Sequence, residues 1–447
     1  MGLTFRALGR HTEARAALGR AVCLGDRKGS FLFECARSAR TLGDLEDARD
    51  LLLRANELER RNLEFRQELA EVLRELGRHL EAASWFKKAL AMAPKRADLY
   101  HEMGKALYAS GRVDEAREAL SNSLKLEPED PRSLETMGVV EASVGLLPQA
   151  IECFRRSVRL DPRSCSAHAH LGRALRTQGL FTEACQSLRQ ALDLESDPQA
   201  VPDLQYELAC SLQSLGHLEE PLALLETAEK GGCSRKDLPL RRGRLAAAMG
   251  ESRQAEAEFL RALTCHPRPA EVHQELARLH LEQGRFESAL QQIRKALHLE
   301  PEDLSSRFLQ ARCLGAQGLT ELAHQEWRTL LDDYPDLAAA HKEKGLLYEC
   351  QGLLDLAIEE FQRSLDLDPT DADLFCRVGV AYQRRGDLVL AVQALERALE
   401  RKPSPQNHSV LGDLLLALGR WDQALTSYRR ALEMEETCAR AHCGVGT

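Results

Sequence analysis

The chain has 447 residues, 29% of them charged, and a net charge of −9, which excludes a broadly basic nucleic-acid binder. Its 3 isoleucines, 15 valines and 14 threonines are too few to build a sizeable sheet, whereas Ala, Leu, Arg and Glu are abundant and suit helices. No apolar run approaches the roughly 20 residues needed to cross a bilayer, and the first residues do not read as a secretion signal.

Taken in chain order, the predicted elements repeat. Turn glycines fall at Gly9, Gly43, Gly77, Gly111, Gly145, Gly179, Gly216, Gly250, Gly284, Gly318, Gly352, Gly386 and Gly419. They are 34 residues apart except for one interval of 37 and one of 33. Met1 falls midway through a first helix. From Gly29 onward complete units follow, each a helix, a glycine turn, a second helix and a link that often carries proline, as at Pro94, Pro128 and Pro162. Between Gly179 and Gly216 the link lengthens and contains Pro198 and Pro202; Pro221 and Gly231-Gly232 mark the unit after it. This predicts an N-terminal array over 1–195, an irregular repeat over 196–240 and a C-terminal array over 241–447, with Pro221 tolerated in the first turn of its helix. The last unit breaks off after Ala441 and Gly444. Neither end has a polar capping helix, so the sequence reads as a fragment of a longer protein or as a chain that self-associates through uncapped ends.

Within each unit the positions are fixed by packing. Seven residues before the turn glycine stands Gly or Ala every time, from Gly2 and Ala36 to Gly412. Five after it comes Ala in twelve of thirteen units, and nine after it a large apolar residue, from Leu18 and Leu52 to Tyr428. The large residue is expected to fill the wedge between successive pairs. A lone pair cannot bury both its apolar faces, so units must stack.

On these positions, for example over Leu99 to Asp130, the sequence resembles the tetratricopeptide-repeat family along its whole length. The resemblance implies an all-α fold, a right-handed superhelical solenoid of antiparallel helix pairs, with a concave groove lined by the first helix of each pair.

Little else points to chemistry. Thirteen cysteines form no Cys-x-x-Cys pair and read as reduced thiols of a cytoplasmic protein. His273 and His280 lack the partners of a zinc site, His280 takes a core position, and His168 and His170 cannot share an ion comfortably. No phosphate-binding glycine loop or acid/base pair stands out. The expectation is no enzyme, no cofactor and no metal.

Function is therefore expected on the groove. Six residues before the turn glycine runs a basic row, Arg37, Lys105, Arg173, Arg244, Arg278 and Arg312, interrupted by Glu71, Val139 and Cys210. Three residues further on, Arg6, Arg40, Arg74 and Arg176 extend it. Guanidinium groups at one-repeat intervals suit an acidic segment of a protein partner. Against this, Glu34, Glu102 and Glu275 stand three residues before Arg37, Lys105 and Arg278, and would neutralise them as ordinary i,i+3 pairs. The asparagine ladder of some relatives, including O-linked N-acetylglucosaminyltransferases, is replaced by Glu34, Glu68, Glu102, Glu207, Glu275 and Glu343. The leading expectation is a non-catalytic scaffold or adaptor binding protein or peptide partners, with no nucleic acid and no membrane insertion. The alternative is the repeat arm of a larger enzyme, for example a glycosyltransferase, or of a signalling protein.

Overall fold

A computed structural model describes residues 4–5, 8–23 and 29–446. Gly2, Arg6 and the side chain of Leu18 lie outside the described residues. Among those described, the chain is helical and has no strand. A second helix, α1 (His11–Cys23), precedes twelve antiparallel pairs. In the first half these are α2/α3 (Gly29–Thr41, Leu45–Leu58), α4/α5 (Leu63–Glu75, His79–Leu90) and α6/α7 (Ala97–Ala109, Val113–Leu126). Then come α8/α9 (Pro131–Ser143, Leu147–Leu160), α10/α11 (Cys165–Thr177, Phe181–Leu194) and α12/α13 (Val201–Ser214, Glu219–Lys230). The second half holds α14/α15 (Leu238–Ala248, Ser252–Cys265), α16/α17 (Pro269–Glu282, Phe286–Leu299) and α18/α19 (Leu304–Ala316, Thr320–Asp333). It ends with α20/α21 (Ala338–Cys350, Leu354–Leu367), α22/α23 (Ala372–Arg385, Leu388–Arg401), α24/α25 (Pro405–Ala417, Trp421–Met434) and α26 (Ala439–Gly446). Even-numbered helices are thus the first helices of their pairs.

The chain divides into two compact units, Met1–Ser234 and Arg235–Thr447, at a boundary inside the long-linked segment. Pro221 is the third residue of α13, where its missing N–H removes no helical bond. Gly232, with φ +96°, closes that helix.

Each pair is made by the same few contacts. All thirteen turn glycines have φ between +70° and +100°, and no other residue type among those described does. At Gly111 the glycine N–H donates to Tyr108 O and the Arg112 N–H to Leu107 O, ending α6 and reversing the chain within two residues. First helices are often started by a side-chain cap, such as Asn62, Asp130, Ser164, Asp303, Asp371 or Ser404. In the twelve complete pairs the second helices have none and follow closely on the turn, as α7 does at Arg112.

The small residue of a first helix faces the large residue of its own second helix. A Cβ on Gly104 would lie 2.7 Å from Leu120 Cγ, and one on Gly138 2.6 Å from the Phe154 ring. The expected wedge between pairs is therefore only half of the large residue's role: it first seals its own pair. Tyr428 does both, lying against Gly412 of its own pair and Gly444 of the next first helix. Twelve residues after the turn, Ser123, Ser157 and Ser364 are buried, and each donates its hydroxyl at 2.8 Å to a carbonyl in the first turn of its pair, Ala97, Pro131 and Ala338. Within each unit successive first helices also touch one another, α6 to α8 to α10 in one and α14 to α16 to α18 in the other. First helices therefore line a common inner face in each unit.

Candidate partner-binding face

The two basic rows differ in what they do on this face. Residues three before the turn glycine reach across to the next first helix. Arg40 bonds Glu68 at 2.7 Å, Glu71 at 2.9 Å and Glu75 at 2.5 Å, all on α4. The hydrogen bond that it donates to Glu75 leads in holding this guanidinium above its ordinary pKa, against the burial that opposes the charge. Arg176 reaches buried Glu207 at 3.0 Å, and Arg74 approaches Glu102 at 3.6 Å. These side chains cross-link neighbouring repeats.

Residues six before the turn glycine stay more open. Arg37 is exposed and lies over the Phe33 ring, 5.7 Å from its centroid. Lys105 and Arg278 do pair within their own helices, with Glu102 at 3.5 Å and Glu275 at 3.0 Å. Arg173 and Arg312 make only long approaches of 3.9 Å and 3.8 Å to Glu207 and Glu343 of the next helix. Their side chains, and those of Lys105 and Arg278, keep 39–49% of their surface in solvent. Arg244 departs from the row: it bonds Glu271 and Glu275 at 2.8 Å, and although burial opposes its charge, these carboxylates, Glu275 foremost, raise its pKa. The acidic row at the ladder position is thus largely taken up by the arginines of the preceding repeat.

The neutralisation was legible in outline, but its geometry was not. The pairs of Arg40, Arg176 and Arg244 join residues about one repeat apart, so no i,i+3 inspection finds them. A second polar feature also escaped. Arg242 bonds Glu258 at 3.1 Å, Gln310 bonds Glu326 at 3.1 Å and Lys344 bonds Glu360 at 2.9 Å. Each pair is sixteen residues apart, eight before and eight after its turn glycine, a register in which Met103 and Ala119 sit in the first unit. Buried Glu360 also takes His341 Nδ1 at 2.6 Å. Burial would raise its pKa, but the bonds from His341 and Lys344 outweigh it and hold the carboxyl low.

Among the described residues no group of His, Cys, Asp and Glu could hold a metal ion, and the described cysteines are all free. Burial pushes the Cys35 thiol up to about 11, and burial with a hydrogen bond to Glu195 does the same for Cys165. Burial also lowers the pKa of His273 and His280, and His273 Nδ1 is taken by Gln292 at 2.8 Å. His168 meets the Pro162 carbonyl through Nε2 at 3.2 Å, as His341 meets that of Pro335 at 3.1 Å.

Family models described as tetratricopeptide repeat match residues 1–57, 33–97, 73–136, 136–201, 240–303, 308–372, 372–405 and 409–446. The chain belongs to the tetratricopeptide-repeat family. Among solved structures it is similar to yeast Tom70, at 15% identity over 94% of each chain with a TM-score of 0.50. It is also similar to the Cut9–Hcn1 hetero-tetramer of the APC/C, at 14% identity over 100% of this chain and 94% of that one with a TM-score of 0.41. The MamA protein matches 37% of this chain and 91% of its own at 23% identity, with a TM-score of 0.35. No curated protein matches the sequence.

Proposed function

We propose that this tetratricopeptide-repeat chain is a non-catalytic scaffold that docks acidic segments of partner proteins on the inner face of its first helices. The observation that supports it is the split between the basic rows: Arg40, Arg74 and Arg176 are spent on holding neighbouring repeats, whereas Arg37, Lys105, Arg173, Arg278 and Arg312 present half-open charge with single or distant partners. A cation whose only partner is long or local keeps hydrogen-bond capacity for a ligand carboxylate. Each repeat would add a small increment, and several together would give affinity by multivalency. Free thiols throughout the described residues support a reducing compartment such as the cytoplasm. Among the described residues no helix is long and apolar enough to cross a membrane.

Charge reversal tests the reading. Arg37→Glu combined with Arg173→Glu should weaken binding of a crosslink-mapped partner at least tenfold and flatten its salt dependence. Unchanged affinity in that double variant would exclude the row as the binding site.

A further inference from the structure

The inner face of the second unit is not uniform. At the register where Arg40, Arg74 and Arg176 send guanidinium groups across to the next helix, α18 carries Gly315. A cavity of about 340 Å³ opens there between α18 and α20, floored by Ala311 and Trp327, walled by Leu346 and Leu347 and rimmed by Cys350. Its opening is not forced by the backbone. A Cβ on Gly315 would meet nothing nearer than Leu347 Cδ1 at 3.5 Å and Ala323 Cβ at 3.8 Å, and its φ is not left-handed. The packing around it is also thin: the backbones of α19 and α20 approach each other along less of their length than those of any other second helix of this unit and its successor.

The two sides of the cavity differ in character. Toward the preceding repeats lie Arg312, with Glu343 no closer than 3.8 Å, and Arg278, held only by Glu275 of its own helix. Toward the following repeats the same register holds Leu346 and then Val380, which is 39% exposed. Charge therefore gives way to apolar surface at the cavity.

We infer that this cavity takes a leucine- or phenylalanine-sized side chain from a partner segment whose acidic residues lie on the side of Arg312 and Arg278. The inference rests on the inner-face reading above and adds what one docked segment must contain. An apolar side chain leaves water for a lining that is mostly apolar, with Arg312, Thr320, Glu343 and Gln351 as its polar members, and this supplies the affinity. The neighbouring acidic residues face cations that lack a close cross-helix partner, which supplies complementarity. The size of the cavity is at the lower end for a ligand site and matches one anchor residue rather than a cofactor.

The test uses the full chain and fluorescein-labelled synthetic dodecapeptides with a central Leu, Phe or Ala, flanked on one side by either Glu or Ser. Anisotropy should show the Glu-flanked Leu and Phe peptides binding at least about tenfold tighter than the Ala peptide. Gly315→Met, which fills the cavity from an unstrained helical position, should erase that preference and leave the effect of the acidic flank. Arg312→Glu should do the reverse, and Gly315→Ala should keep both effects and report that the site tolerates substitution. The Leu peptide should also slow alkylation of exposed Cys350 and leave that of exposed Cys265 unchanged. An apolar preference that survives Gly315→Met, or no such preference in the parent chain, overturns the inference. If the flank effect alone remains, the cavity reading falls and the inner-face reading stands. If Arg312→Glu and the Arg37→Glu, Arg173→Glu pair leave binding intact, the inner-face reading falls as well. Sedimentation of the chain alone supplies one more contrary outcome: self-association lost in Gly315→Met would make a second copy the occupant.

Discussion

Gly111 and Gly315 show how one residue type serves opposite ends in this chain. Gly111 has φ +83°, a conformation that costs an L side chain about 1–2 kcal/mol, so Gly111→Ala should lower stability by that amount although space around it is empty. Gly315 lies inside a helix with ordinary φ and room for a methyl group, so Gly315→Ala should raise stability by about 0.5–1 kcal/mol. Urea unfolding of the two variants beside the parent checks both signs. Buried histidines make a second residue-scale prediction. Burial lowers the pKa of His101 and His280. The unfolded chain then binds protons near its ordinary value of about 6.5 that the folded chain does not, so stability is full above that pH and falls as pH drops below it. Carboxylates held low, such as Asp371 and Glu360, contribute a separate loss at lower pH, as it falls through the carboxylate range. Replacing His280 by Phe should make the fall in melting temperature between pH 7 and 5.5 shallower; an unchanged slope would show that His280 titrates alike in both states.

At the scale of the helix pair, stability comes from one interlock repeated with different partners. Gly104 against Leu120 and Gly172 against Leu188 leave no room for a Cβ without movement, whereas elsewhere the same two positions are Ala70 with Phe86 and Ala311 with Trp327, each couple buried in one apolar cluster. The volume is shared between the two positions, so enlarging the small one must displace the large one. Gly104→Leu should cost about 1–3 kcal/mol through overpacking. Because neighbours in a repeat array are coupled chiefly to each other, hydrogen exchange should speed first in α6 and α7 and less in α2 and α3. Uniform acceleration across the unit would mean that the interlock is not local. The buried serines at 123, 157 and 364 add a polar register to the same contact, since each closes its pair with a hydroxyl bond across it.

Across the whole molecule, the repeat was legible because packing residues recur in every unit and their average survives any single departure. The candidate site was legible only as positions. Which cations are open depends on where the next helix puts its carboxylates, and that phase is set by stacking rather than by neighbours in sequence. Arg37 and Arg40 make the difference concrete, because they are three residues apart on α2 and read alike on the page. Arg40 is committed to Glu68, Glu71 and Glu75, while Arg37 is exposed over Phe33. Arg40→Met should therefore leave half-buried Glu68 and Glu71, and Glu75 at their edge, without their shared cation and cost about 1–3 kcal/mol, with hydrogen exchange rising where α2 meets α4. The same substitution at Arg37 removes a surface charge and should change stability by less than about 0.5 kcal/mol. Binding of an acidic segment should respond in the opposite order, weakening on loss of Arg37 while Arg40→Met acts only through the repeat it loosens. Equal stability losses at the two positions would mean that the inner face does not divide its cations between cohesion and recognition.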